Sequence, residues 1–271
     1  RLNMAQPALS QQIKTLEERL GVTLFHRANR RLTLTPAGAA FLEKSKVALQ
    51  MVDQAILDAR QTARGEQGIL NLGCVSSAIL DGKLPAVLRE IHTQWPNISL
   101  SLTTGNVQTL YAALQSNQLD VAIIRAPLPL LPEALQCKPF TSEKTVLALP
   151  RHHPLAGSAA LTLTSLKEDK WITLRDPEGI GLEQYFNDAC RQAGFQPKVV
   201  QYATEVSTVI SLVAAGFGIA LLPASATAVR LENVAYIDII DRLEESELTL
   251  VCHRIVLSEV LKKFLAILQR P

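Results

Sequence analysis

The chain has 271 residues, 48% hydrophobic and 19% charged, with a net charge of +2. That length allows two domains and a small third, the composition excludes a disordered chain, and no apolar run reaches the ~18 residues a bilayer span needs. Cys74, Cys137, Cys190 and Cys252 stand far apart, with no CxxC and no Cys/His cluster. This speaks against a zinc site and for reduced thiols in a cytoplasmic protein. No signal peptide is visible, and the chain opens at Arg1 inside a helical pattern, so the natural start is expected to lie upstream.

Residues 4–22, MAQPALSQQIKTLEERLGV, predict an amphipathic helix. Leu9, Ile13, Leu16 and Leu20 recur at three- and four-residue spacing and define an apolar face, expected to be buried. Pro7 suits a first turn and Gly21 a helix end. The opposite face presents Gln6, Ser10, Gln11 and Lys14, a set able to read base edges and touch phosphates, although a solvated face would look the same. Next, VTLFHRANRRLTLT predicts a two-stranded ribbon. Leu32 and Leu34 alternate with Thr33 and Thr35, and Arg27, Asn29, Arg30 and Arg31 stand at the tip. A reading helix followed by a ribbon with a cationic tip describes a winged helix-turn-helix that binds double-stranded DNA. Charge agrees. Residues 1–35 hold six basic and two acidic residues, leaving 21 and 23 for the remainder, as befits a nucleic-acid arm on a different kind of body.

The run MAQPALSQQIKTLEERLGVTLFHRANRRLTLTPAG closely resembles the signature of LysR-type transcriptional regulators, QPALS-x-QI-x-x-LE-x-x-LG-x-x-LF-x-R…LT-x-AG. Every element is present, from Gln6 through Leu24-Phe25, Arg27 and Leu34-Thr35 to Ala37-Gly38. The departure is at the start, where the family's first helix and most of its second are absent. The resemblance implies DNA contacts from Gln6, Pro7, Ser10, Gln11, Lys14, Arg27, Arg30 and Arg31. It also implies paired dimers forming a tetramer, with contact to RNA polymerase left open.

Residues 36–64 predict one long helix opened by Pro36. Leu42, Ser45, Leu49, Val52, Ile56, Ala59 and Ala63 follow at alternating three- and four-residue spacing, a heptad seam. Such a helix needs a partner, either a second copy of itself or the body of the next domain. The resemblance implies a dimer-forming linker helix over 36–68, with Gly65–Gly68 as a flexible joint.

From residue 69 on, apolar strands alternate with helical patterns, predicting mostly parallel sheets with helices on both faces. Two such runs, split near Phe140, predict two similar subdomains. The resemblance adds that the chain crosses between them twice, giving one lobe of 69–140 and 246–271, a second of 141–245, and a periplasmic-binding-protein-like α/β effector domain. The predicted fold class is therefore α+β multidomain: a winged helix-turn-helix truncated at its start, a linker helix and two Rossmann-like lobes.

Ligands in open α/β sheets bind at strand carboxyl ends, where helix N-termini favour anions. Strand-then-turn positions that match the family's inducer cleft are Ser76, Ser77, Thr104, Asn106, Ser207 and Thr208. Thr173 stands at the second lobe's strand end, and Arg125 and Arg175, which also follow strands, each suit a carboxylate. Helix capping and internal ion pairing are the ordinary alternatives for these residue types. Pro127 resembles a cleft-lining position. His152-His153 are adjacent and ill placed to chelate one metal. No GxSxG, P-loop lysine, HExxH or complete dinucleotide fingerprint occurs, so no catalytic residue, metal or cofactor is predicted. The ligand is a small-molecule inducer, an organic acid or other anion. The competing readings are a solute-binding protein, which residues 1–64 disfavour, and an enzyme on a Rossmann-like scaffold. No membrane partner is expected.

Overall fold

A computed structural model describes residues 6–28, 31–256 and 258–268. Arg30, and the side chains of Arg27 and Arg31, lie outside the described part, as do residues 1–5. The chain divides into two compact units, Arg1–Gln61 and Thr62–Pro271.

In the first unit, α1 (Gln6–Leu20) ends at Gly21, whose φ of +67° a side chain would resist. Strands β1 (Phe25–Ala28) and β2 (Arg31–Leu34) pair antiparallel with Phe25 opposite Leu34 and Ala28 opposite Arg31, the expected ribbon. Helix α2 (Pro36–Ala63) follows, opened by its proline. One expectation needs correction: α1 buries no residue, and Leu9 and Leu20 are exposed. One helix and a two-stranded ribbon have too little surface to enclose an apolar stripe. Along α2 only Gly38 is buried, while Leu42, Leu49, Val52 and Ile56 of the heptad seam are exposed.

The second unit contains β3 (Gln67–Cys74), α3 (Ser76–Leu80), α4 (Lys83–Gln94), β4 (Asn97–Thr104), α5 (Val107–Gln115), β5 (Val121–Arg125), β6 (Leu135–Glu143), β7 (Thr145–Pro150) and β8 (Ala160–Leu161). A 3-10 turn (Leu163–Leu166) precedes β9 (Lys170–Leu174), α6 (Gly181–Gln192), β10 (Lys198–Ala203), α7 (Val206–Ala214) and β11 (Ala220–Pro223). A second 3-10 turn (Ala224–Ala228) leads to β12 (Val234–Ile239), β13 (Ser246–His253) and α8 (Glu259–Leu268). One sheet has the order β4-β3-β5-β13-β6. Another has β11-β7-β12-β8, with the β10-β9 pair attached through a parallel bridge from Trp171 to Ile219.

The sheets are mixed, not mostly parallel. Strand β13 runs antiparallel to both β5 and β6, and β7 runs antiparallel to both β11 and β12. The strands that return from the other lobe enter in the opposite sense, so regular βα units account for only part of each sheet. The expected division near Phe140 also moves. Strand β6 keeps residues through Glu143 in the first sheet, and Phe140 belongs to that lobe's core. Nor are residues 65–68 a free joint. Gln67 and Gly68 begin β3, and Gly65 is buried at φ +60°, where a Cβ would come within 2.7 Å of Glu259 Cβ. The chain does cross twice between sheets, at 143–145 and 239–246.

Alternation along the strands builds the cores. On β5, Val121 and Ile123 face a cluster with α4 and α8, while Ala122 and Ile124 face one with α5. On β7, Leu147 and Leu149 pack with Phe186 of α6, and Ala148 packs with Val209 and Val213 of α7. No helix among the described residues is long and apolar enough to cross a membrane.

Candidate functional site

The first candidate surface is in the first unit. Gln6, Pro7, Ser10, Gln11 and Lys14 are all exposed on α1. Lys14 Nζ lies 3.7 Å from Glu18 Oε1, both side chains largely in solvent, a pair weak enough to yield to phosphate. Beyond Lys14, at the end of α1, is a set of buried and half-buried bonds. Leu24 N–H and Phe25 N–H both donate to Glu17 Oε1, at 2.7 and 3.1 Å. Thr35 N–H donates to the Leu24 carbonyl at 2.9 Å, and Thr35 Oγ1 donates to the Thr23 carbonyl at 2.8 Å while accepting from Gly38 N–H at 2.8 Å. The Leu24 carbonyl passes so close to Gly38 that a Cβ there would sit 2.0 Å from it.

The second candidate lies between the lobes of the second unit. Helix α3 of the first lobe packs on the 3-10 turn Ala224–Ala228 of the second. Ser76 Oγ accepts from Val206 N–H, the first amide of α7, at 3.3 Å. Arg125, 2% exposed, donates to Ser77 Oγ, to the Ser246 carbonyl and Oγ, and to Glu143 Oε1 at 2.9 Å. Glu143 in turn accepts from Ser225 N–H and Oγ across the lobe boundary. Desolvation works to lower the Arg125 pKa, and the facing Glu143 carboxylate opposes it. The carboxylate expected from a ligand is thus supplied by the chain itself, which corrects the sequence expectation for Arg125. Ser77 is committed to the same network, and its own exposure is 3%.

The remaining predicted residues separate by environment. Asn106 caps α5, its Oδ1 accepting from Thr109 N–H at 2.9 Å. Thr173 is buried on β9. Thr104 is exposed at the end of β4, and Ser207 and Thr208 are exposed in the first turn of α7. At α6, Asp176 Oδ2 accepts from Leu182 and Glu183 N–H while Glu183 accepts from Asp176 N–H, so that helix start already holds a carboxylate. Arg175 stacks on Tyr202 at 5.0 Å.

Sequence reasoning missed the segment near the crossovers. A 370 Å³ cavity there is lined by Pro127, Tyr185, Asp188, Arg191, Glu244 and Glu247, among others. Pro127 was anticipated. None of the eight predicted effector residues lines this cavity, and its charged residues are mostly acidic, Asp188, Glu244, Glu245 and Glu247 against Arg191. The one signal was the cluster Glu244, Glu245 and Glu247 in a segment without periodicity.

A model of the LysR substrate binding domain matches residues 63–270, and a model of the bacterial regulatory helix-turn-helix protein, lysR family, matches residues 1–39. The chain belongs to the LysR family. The regulator AlsR of Bacillus subtilis is 40% identical over 87% of this chain and 77% of its own length, and BudR of Raoultella terrigena is 34% identical over 97% and 91%. The crystal structure of CbnR, a LysR family transcriptional regulator, shares the fold with a TM-score of 0.84, at 24% identity and coverage of 99% of this chain and 92% of that one. A Corynebacterium glutamicum OxyR mutant gives 0.66 at 28% identity, covering 99% and 85%. This LysR-family chain is a DNA-binding transcriptional regulator with an effector-binding domain, and the solute-binding-protein and enzyme readings are not favoured.

Proposed function

We propose that the regulator is switched by a small organic acid or other anion held between its two lobes. Supporting this are the hydroxyls of Ser76, Thr104, Ser207 and Thr208 at strand ends and the first turns of α3 and α7, where helix dipoles favour negative charge. Ser77 and Arg125 hold each other in the adjoining buried network, Asn106 caps α5 and Thr173 is buried on β9. The observation that carries the reading is the Ser76 Oγ to Val206 N–H bond, which ties a first-lobe hydroxyl to a second-lobe helix start. A ligand that takes over that amide changes how the lobes close, and closure shifts a population between two states. DNA contacts come from Gln6, Pro7, Ser10, Gln11 and Lys14, with Arg27, Arg30 and Arg31 at the wing. The chain pairs through α2, its dimers pair into tetramers in the cytoplasm, and contact with RNA polymerase belongs to the same reading. No cofactor or metal takes part.

The test is a gel shift on the region upstream of the adjacent gene, run alongside a thermal-shift screen of small carboxylates. A stabilising acid that also alters the DNase footprint supports the reading. Stabilisation that survives Ser76→Ala with Thr208→Ala would place the ligand elsewhere.

A further inference from the structure

We infer that Glu17, one turn beyond Lys14 on the same side of α1, is a positioning residue that aims the wing. The inference rests on α1 and the β1–β2 ribbon being the DNA-contacting head. One carboxylate oxygen accepts both Leu24 N–H and Phe25 N–H, the two amides at the root of β1. A charged acceptor taking two amides is stronger than a neutral one and fixes direction as well as distance. The same root is held from the other side. Thr35 N–H closes on the Leu24 carbonyl, Thr35 Oγ1 bridges the Thr23 carbonyl and Gly38 N–H, and Gly38 lacks a Cβ where only backbone fits. Reading helix, ribbon and the start of α2 therefore meet at Leu24, which is itself 3% exposed. Among these links Glu17 alone supplies α1's side chain. Without it, the ribbon would still be a hairpin, but the two amides at its root would lose their side-chain acceptor on α1.

Sign separates this role from simple electrostatics. Removing a negative charge from a DNA-binding head should strengthen phosphate attraction. Removing Glu17 should weaken binding, because the wing cations lose their place.

The experiment measures affinity for operator DNA against salt concentration in the full chain, for Glu17→Ala, Glu17→Gln, Arg30→Ala/Arg31→Ala and the triple variant. Glu17→Ala is expected to bind roughly tenfold more weakly, with a shallower salt dependence matching the double arginine variant, since each lost phosphate contact removes about 0.9 from the slope. The triple variant should bind no more weakly than the double, because the two changes act through one element. Glu17→Gln keeps an oxygen for both amides and should recover most of the affinity. Thr35→Val loosens the same root from the other side and should reproduce the shallower slope, which keeps the test decisive if Glu17→Ala fails to fold. Wild-type or tighter binding by Glu17→Ala, or full additivity in the triple variant, would overturn the role. An unchanged salt slope in the double arginine variant would instead overturn the wing reading beneath it.

Discussion

Arg125 carries its charge into the interior of the effector-binding unit because Glu143 is there to meet it. Breaking such a pair from one side leaves a buried ion uncompensated, which costs about 3–5 kcal/mol. Glu143→Ala should therefore lower the urea stability of the effector-binding unit by about that much, with Glu143→Gln falling between it and wild type. An unfolding midpoint unchanged in Glu143→Ala would show that water reaches the guanidinium. Thiol chemistry follows burial in the same way. Burial pushes Cys74 up to about 11, with Glu205 adding to it, and Cys190 up to about 12. Cys252 is raised too, whereas Cys137 is exposed on β6. Thiolate is the reactive form, and a thiol at pKa 11 is only about one part in a thousand ionised at pH 8. Iodoacetamide at pH 8 should add one label per native chain, at Cys137, as read by intact mass and peptide mapping. A second label at equal rate on Cys74 or Cys190 would contradict the burial. Individual roles such as these were only partly legible beforehand. Arg125 stood out at a strand end, but its partner lies 18 residues away at the end of β6, a pairing that no local spacing announces.

Elements with a strong period were readable, and elements whose identity depends on neighbours were not. Helix α1, the ribbon, α2 and most strands and helices beyond them follow from apolar repeats and from Pro36 and Gly21. Strand β6 does not. Its sequence LQCKPFTSE lacks alternation and contains Pro139, which argues against a central strand. The fold resolves this by placing β6 at the sheet edge, with Pro139 opposite Thr249 where the register shifts. Strand direction was equally hidden, because β13 reads as an apolar run whichever way it lies. Capping was legible in type but not in purpose. Asn106 fits an effector contact and a helix cap equally well in sequence, and the geometry makes it a cap. Asn106→Ala should cost about 1 kcal/mol, measured by chemical denaturation. If it acts only as a cap, the concentration of inducer needed for half-maximal response will stay the same.

At the scale of the molecule, the controlling fact is that α2 presents Leu42, Leu49, Val52 and Ile56 to solvent along a 28-residue helix. A seam of that kind is stabilised by a second helix with the same repeat, and at 1.5 Å per residue the rod is about 42 Å long. Leu49→Glu with Val52→Glu places two charges in the seam. Both positions are exposed in the single chain, so its fold should tolerate them, while the proposed pairing would have to desolvate them. Sedimentation should then show a shift towards monomer with unchanged far-ultraviolet circular dichroism. Binding to a probe with two half-sites should fall by about 10²-fold, because the second head no longer benefits from a high effective concentration. Binding to a single half-site should change little, since Gln6, Ser10, Gln11 and the wing are untouched. Equal losses on both probes would mean that the substitutions damage the reading head itself. No loss on either would mean that α2 does not pair the heads.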